Sequence, residues 1–354
     1  SRAGDLEGLE GLRSRRPLLV KPYGLSSRSS GASLPAAETE ADAGLDLKYG
    51  LTSGVTLDAT LNTDFSQVEV DQQQVNLTRF SLFFPELREF FLENAGIFQF
   101  GDRSPPSRAR TGATNRDFTL FFSRRIGLTP DGQPLPILGG GRISGAAGPI
   151  ELGVLNMQTR SNAETPAENF GVGRLRWRPV EGLDVGGIFV NRSVTSGLEP
   201  GATRVEDNRS YGVDAAYQTL GDRLLFQSYL AGTEGELADG TEQERDLAGR
   251  FSVEWRPATL EAMAMYRHFG EDFDPAVGFV RRRDIRHGYG LLGLRRTVQW
   301  PLVQLVAPFA EVDYFATTAG QMETRRLTAG VAADFWDGGY ASVEVANRFE
   351  REFD

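Results

Sequence analysis

From Leu45 onward the chain alternates. Leu45, Leu47, Tyr49 and Leu51 take every second position, with Asp46, Lys48 and Thr52 among the residues between them. Across Thr52-Ser53-Gly54 the period returns as Val55, Leu57, Ala59 and Leu61 against Thr56, Asp58, Thr60 and Asn62. Period two on both sides of a tight turn is the pattern of an antiparallel hairpin with one apolar face. The runs Leu247–Trp255, Leu260–Tyr266, Leu327–Phe335 and Ala341–Phe349 repeat it. Further strand-like runs fall near 142–147, 150–158, 170–178, 183–191, 210–218, 224–232, 288–296 and 302–314, for roughly fourteen strands in all.

Strand length narrows the fold. Strands of soluble proteins usually run about five or six residues, whereas tilted membrane-crossing strands need about 9–11. These runs are of the longer kind. Their connections differ in character: Thr52-Ser53-Gly54, Ala147-Gly148-Pro149, Pro179-Val180-Glu181-Gly182, Leu220-Gly221-Asp222 and Asp337-Gly338-Gly339 are short, while 192–209, 233–246 and 269–287 read as long polar loops. Short turns on one rim and long loops on the other are a feature of membrane barrels. The predicted fold class is all-β: a transmembrane antiparallel up-and-down β-barrel over 18–354, after an N-terminal linker segment at 1–17. Arg176-Trp177-Arg178-Pro179 and Glu254-Trp255-Arg256-Pro257 recur where strands meet short turns. A Trp there suits either the bilayer interface or any strand end.

Residues 62–101 break the alternation. Phe83, Phe84, Leu87, Phe90 and Phe91 sit at helical spacing behind Pro85-Glu86, which predicts a short amphipathic helix. Its phenylalanine face needs cover, in the lumen as a plug or constriction or on a membrane surface. Asp64, Glu69, Asp71 and Arg79 belong to the same candidate constriction.

Composition then excludes whole classes. In 354 residues there are 41 Gly, 23 Phe and no Cys, so disulfides and thiolate metal sites are absent. A mean hydropathy of −0.32 and the interruptions across Val298–Ala316 exclude an apolar membrane helix there, yet suit a barrel in which only alternate residues face lipid. A net charge of −10 argues against a nucleic-acid partner. Ser1 to Arg16 carries charges where a signal peptide has its apolar core, so the chain reads as mature or as an excised piece of a longer protein.

The stretch Leu61–Phe100 also carries a resemblance. Asp64-Phe65-Ser66-Gln67-Val68-Glu69, Asn76-Leu77-Thr78-Arg79-Phe80 and Phe83-Phe84-Pro85-Glu86-Leu87-Arg88-Glu89-Phe90-Phe91-Leu92-Glu93 resemble an uncharacterised family of bacterial outer-membrane β-barrel domains. Further pieces are Phe121-Phe122-Ser123-Arg124-Arg125-Ile126-Gly127, Asn208-Arg209-Ser210-Tyr211-Gly212-Val213-Asp214 and Asp274-Pro275-Ala276-Val277-Gly278-Phe279-Val280-Arg281-Arg282. The resemblance implies a Gram-negative outer-membrane location with lipid as a partner. It also implies an N-terminal xylanase-type (family 9) carbohydrate-binding domain in the full-length protein, and hence an oligosaccharide connection. Two departures from the family, the missing carbohydrate-binding domain and an end before a final strand with a terminal aromatic, mark the barrel as C-terminally truncated. The family offers no catalytic residues to carry over.

The chain carries few residues suited to catalysis. His268 and His287 both flank the 269–287 loop near Glu271, Asp272 and Asp284, and read as loop or rim residues unless an Asp/His pair activates water. Asp64, Glu69 and Asp71 lack the spacing and glycine of a calcium loop. Gly139-Gly140-Gly141 lacks the Lys-Ser/Thr of a phosphate loop and reads as a flexible turn. No cofactor motif is present. Arg174, Arg176 and Arg178 share one strand face, and Arg281, Arg282, Arg283 and Arg286 cluster in a loop. A lipid-facing Arg at the midplane costs about 2–4 kcal/mol, so these should line the lumen. They either orient a polar or anionic solute there or pair with carboxylates and fill the interior. The functional expectation is a porin-like pore or transporter for a polar solute, glycan-derived in the specific case. The alternatives are a non-conducting glycan-binding or anchoring barrel and, more weakly, an outer-membrane hydrolase.

Overall fold

The computed structural model describes residues 17–29, 38–62, 83–102, 117–129, 132, 135–161, 165–196, 205–237 and 242–351. The chain forms β1 (Leu18–Ser29), β2 (Glu38–Gly50) and β3 (Val55–Leu61), then leaves the sheet. Off the sheet lie a helical turn, α1 (Glu89–Leu92), two short 3-10 turns and β4 (Phe118–Thr119). The sheet resumes with β5 (Ile137–Ala147), β6 (Ile150–Thr159), β7 (Ala167–Trp177) and β8 (Leu183–Ser196). Next come β9 (Val205–Thr219), β10 (Leu224–Leu237), β11 (Glu242–Trp255) and β12 (Leu260–Phe269). A two-residue β13 (Phe279–Val280) pairs with β4 inside the fold. The wall ends with β14 (Ile285–Leu294), β15 (Arg296–Thr297), β16 (Val303–Ala316), β17 (Met322–Phe335) and β18 (Tyr340–Glu350).

This is an all-β, up-and-down antiparallel barrel fold. Sequence neighbours are sheet neighbours throughout, in the order β1-β2-β3-β5-β6-β7-β8-β9-β10-β11-β12-β14-β16-β17-β18, with β15 continuing β14 alongside β16. Among the described residues the wall therefore has fifteen consecutive strands rather than roughly fourteen. Among the described residues β1 and β18 each have a single sheet neighbour. Seven connections of two to five residues mark one end, from Leu51–Gly54 to Trp336–Gly339.

Alternation assigns the two faces. Asp58, Arg142, Arg174, Asp214, Arg250 and Arg267 are buried on one face. On the other, Leu152, Leu175, Phe189, Val213, Leu230 and Phe251 stand on six consecutive strands, each 40–60% exposed. The sheet wraps around its charged face. Residues 89–102 reach Lys21 on β1 through Glu89 and Arg267 on β12 through Asp102. A flat sheet would spread those strands over about 50 Å at about 4.8 Å per strand.

Four expectations change. The described residues of 192–209 and 233–246 are strand rather than loop, because β8–β11 run well past the apolar band. Gly139, Gly140 and Gly141 lie inside β5, paired to β3 and β6, and form no turn. Between β3 and β5 the described residues off the wall extend past 101, to 117–129 and 135–136. The helix is one turn and excludes Pro85-Glu86, because Glu86 bonds the Leu87 and Arg88 amides at 3.1 and 3.0 Å and leaves Arg88 extended.

Candidate functional site

The lumen is the candidate site, and the described residues 83–102 and 117–129 pack inside it. Arg88 organises that segment. Its guanidinium grips the Glu86 carboxylate at 2.8 and 2.7 Å and donates to the Ile126 and Ser123 carbonyls at 2.7 and 2.8 Å. The Ser123 hydroxyl donates to Glu86 at 2.8 Å, and Arg124 to the Pro85 carbonyl at 3.0 Å. Burial pushes the Glu86 carboxyl up, but the hydrogen bonds and charge of Arg88 outweigh it and hold the group below the ordinary value of 4.5.

The wall holds the segment in return. Arg142 on β5 donates to the Phe90 carbonyl at 2.7 Å while bound to Asp58 at 2.8 Å, and Lys48 pairs with Glu93. Phe100 packs over Gly212 of β9, where a Cβ would lie 2.4 Å from the ring. Phe118 meets Tyr229, Phe269 and Phe273 with centroids 5.1, 5.1 and 5.7 Å apart. Phe91, buried, and Phe90, half-buried, thus find their cover inside the barrel, while Phe83 and Phe84 are half-buried. Phe83 stacks on Phe122 at 4.9 Å.

At the centre, one guanidinium joins two parts of the segment to the wall. Arg267 of β12 donates to Asp102 at 2.7 Å and Asp117 at 2.8 Å. Arg250 and the Tyr229 hydroxyl reach the other Asp102 oxygen at 3.2 and 3.4 Å. Arg267 also donates to His287 Nδ1 at 2.9 Å; since Arg has no acceptor, Nε2 carries the imidazole proton and donates to Asp313 at 2.6 Å. Charge-assisted bonds of this kind, in a water-poor interior, make the network rigid.

Residues 17–139 match a family described as a domain of unknown function, DUF5916. The match includes the 83–93 motif. No curated protein matches the chain. Among solved structures, Pseudomonas aeruginosa OccK7 (OpdD) is 14% identical, with 99% of this chain and 84% of that one covered at a TM-score of 0.38. Pseudomonas aeruginosa OpdL is 9% identical, with 95% of each chain covered at a TM-score of 0.34.

The six arginines singled out from sequence fall into two separate groups. Arg174 and Arg176 run down β7 towards the short-turn end, and Arg178 follows its last residue. Arg174 is wholly buried against Asp214, Arg176 and Arg178 share Glu151 and Asp184, and Arg178 is half exposed. Arg281, Arg282 and Arg283 lie on the 270–284 loop at the opposite end. Arg281 reaches Asp117 at 3.4 Å, Arg283 reaches Asp274 at 3.2 Å, and Arg282 lies 4.4 Å over the Phe315 ring. Arg286 is no part of that cluster, being an exposed residue of β14. Asp64, Glu69, Asp71 and Arg79 lie outside the described residues.

His287 is not a rim residue. It is fully buried, stacked on Phe315 at 3.8 Å, with both ring nitrogens engaged, so neither is open to activate a water. His268 is the neighbour in sequence of inward-facing Arg267 and Phe269, so alternation turns it to the other face. Among the described residues no cluster of three or more His, Asp or Glu is arranged to hold a metal ion. Sequence reasoning missed Asp102, Asp117, Arg250, Arg267 and Asp313. The alternation of β11, β12 and β16 marks three of these as inward-facing charges, whereas Asp102 and Asp117 lie off the wall and carry no such signal.

Proposed function

We propose that the chain is an outer-membrane barrel that passes polar solutes through a lumen narrowed by its own inserted segment. One observation carries this: consecutive strands expose large apolar side chains outward and bury paired charges inward. In water that arrangement leaves a continuous apolar surface exposed, whereas in hydrocarbon it satisfies both faces. Supporting it, all four tryptophans lie at the short-turn end, at Trp177, Trp255, Trp300 and Trp336, as an interfacial girdle requires. Glycan-derived oligosaccharides are the specific solute of this proposal, and the carbohydrate-binding domain is its proposed companion in the full-length protein.

The segment from Phe83 to Thr129 acts as the constriction. Planar-bilayer recording tests it: replacing 62–136 by a short glycine-serine turn should raise single-channel conductance severalfold over the parent. The phenylalanine packing around Phe118 favours a second reading, a non-conducting barrel that presents its loops at the surface. Silence of both proteins in the bilayer would favour that reading and end the first. Liposome swelling with neutral oligosaccharides of increasing length then separates a glycan pathway from a general one.

A further inference from the structure

Over most of the wall the inward charges are matched. Arg142 has Asp58, Arg174 has Asp214, Arg192 has Glu168, and Arg250 and Arg267 share Asp102. Matching stops at β17 and β18. Register sets Arg326 of β17 directly opposite Arg348 of β18, on the face that also carries buried Thr328. Like charges at facing positions repel. Among the described residues neither has an ion-pair partner, and the Arg326 Nε is buried without a hydrogen bond. Asp313, across from Arg326 on β16, is engaged by His287 at 2.6 Å.

These two arginines border a cavity of about 370 Å³ at the end of the barrel opposite the short turns. Arg267, Arg281 and Arg282 line it too, so five arginines meet three carboxylates, Asp117, Asp313 and Glu350, while Arg325 alternates to the outer face and donates to Asn347 at 3.1 Å. Asp117 already serves Arg267 and Arg281. Arg282 is fixed over Phe315 and cannot swing away without losing that contact.

We propose that this cavity binds a small multivalent oxyanion, a phosphate or a dicarboxylate, between Arg326, Arg348 and Arg282. Guanidinium forks match such oxygens two at a time, and an anion between the facing arginines removes their repulsion. The site needs the folded wall and not conduction, so a barrel that never conducts leaves it standing.

Calorimetric titration of the full chain in lipid-free detergent, at low ionic strength, tests it with inorganic phosphate and with succinate. One saturable site is expected, weakening as salt rises. Arg326→Gln and Arg348→Gln should each weaken binding about tenfold or more, and Arg326→Lys by less, because it keeps charge but loses the fork. Arg178→Gln, at the other end, should leave it unchanged. Circular dichroism of each variant reports folding, and the comparison uses only variants with the parent spectrum. The inference is overturned if neither anion binds saturably, if Arg178→Gln weakens binding as much as Arg326→Gln, or if binding appears only after phosphate-bearing lipid is added.

Discussion

Arg174 reaches its partner only because of a missing side chain. Its guanidinium crosses β8 to Asp214 of β9 at 2.8 and 2.9 Å, and the position between them is Gly186. A Cβ there would lie 2.6 Å from the guanidinium and 2.7 Å from the carboxylate. Gly186→Ala should therefore part the pair, and Arg174→Ala should cost about 3–5 kcal/mol by stranding a buried charge, read as a lower urea midpoint in detergent. The inward direction of Arg174 was legible, since alternation at positions 174, 176 and 178 sets it. Its partner was not, because Asp214 lies two strands away and only register brings it there. The Glu86 clamp gives a pH signature. Its carboxyl is held below 4.5, so its stabilisation is complete above that value and is lost as pH falls through the lowered one. Protease cleavage within 83–129 should stay flat from neutral pH down to 4.5 and rise below it; Glu86→Gln should cleave readily at every pH. A rise already complete near neutrality would contradict this.

Elements were readable where one face had to be apolar. β6, β7 and β9 were found because their outward residues are apolar, whereas the outer reaches of β8–β11 passed for loops. Past the apolar band nothing requires an oily outward residue, so Asn191, Ser193 and Thr195 carry no period although the ladder of hydrogen bonds continues. A new charge should therefore have unequal effects on and off the apolar band. Val213→Arg, on the apolar band, should cost about 2–4 kcal/mol in folding into vesicles, and Asn191→Arg close to nothing; equal costs would remove the apolar band from the account. The inserted segment was legible as an interruption with a phenylalanine face, but its helix was overestimated, since Glu86 satisfies the backbone amides that a first turn leaves open. Its seat against β9 depends on Gly212. Gly212→Ala should displace the Phe100 ring, at about 1–3 kcal/mol, and raise conductance without altering strand content by circular dichroism.

At the scale of the molecule, the chain is inside out: ion pairs form the core around an aromatic segment, and large aliphatic and aromatic residues form the surface. Only a bilayer makes that distribution stable, and the four tryptophans fix its lower edge. Trp177, Trp300 and Trp336 are each half exposed or more, and the Trp336 indole donates to the Trp300 carbonyl at 3.0 Å, tying neighbouring turns together along the rim. Tryptophan quenching in vesicles of brominated lipids tests this placement most directly. Strong quenching is expected from bromines near the headgroup end of the acyl chain and weak quenching from bromines near its tip, in a protein that precipitates without detergent or lipid. A monomer that stays soluble in plain buffer, with fluorescence indifferent to both lipids, would contradict it.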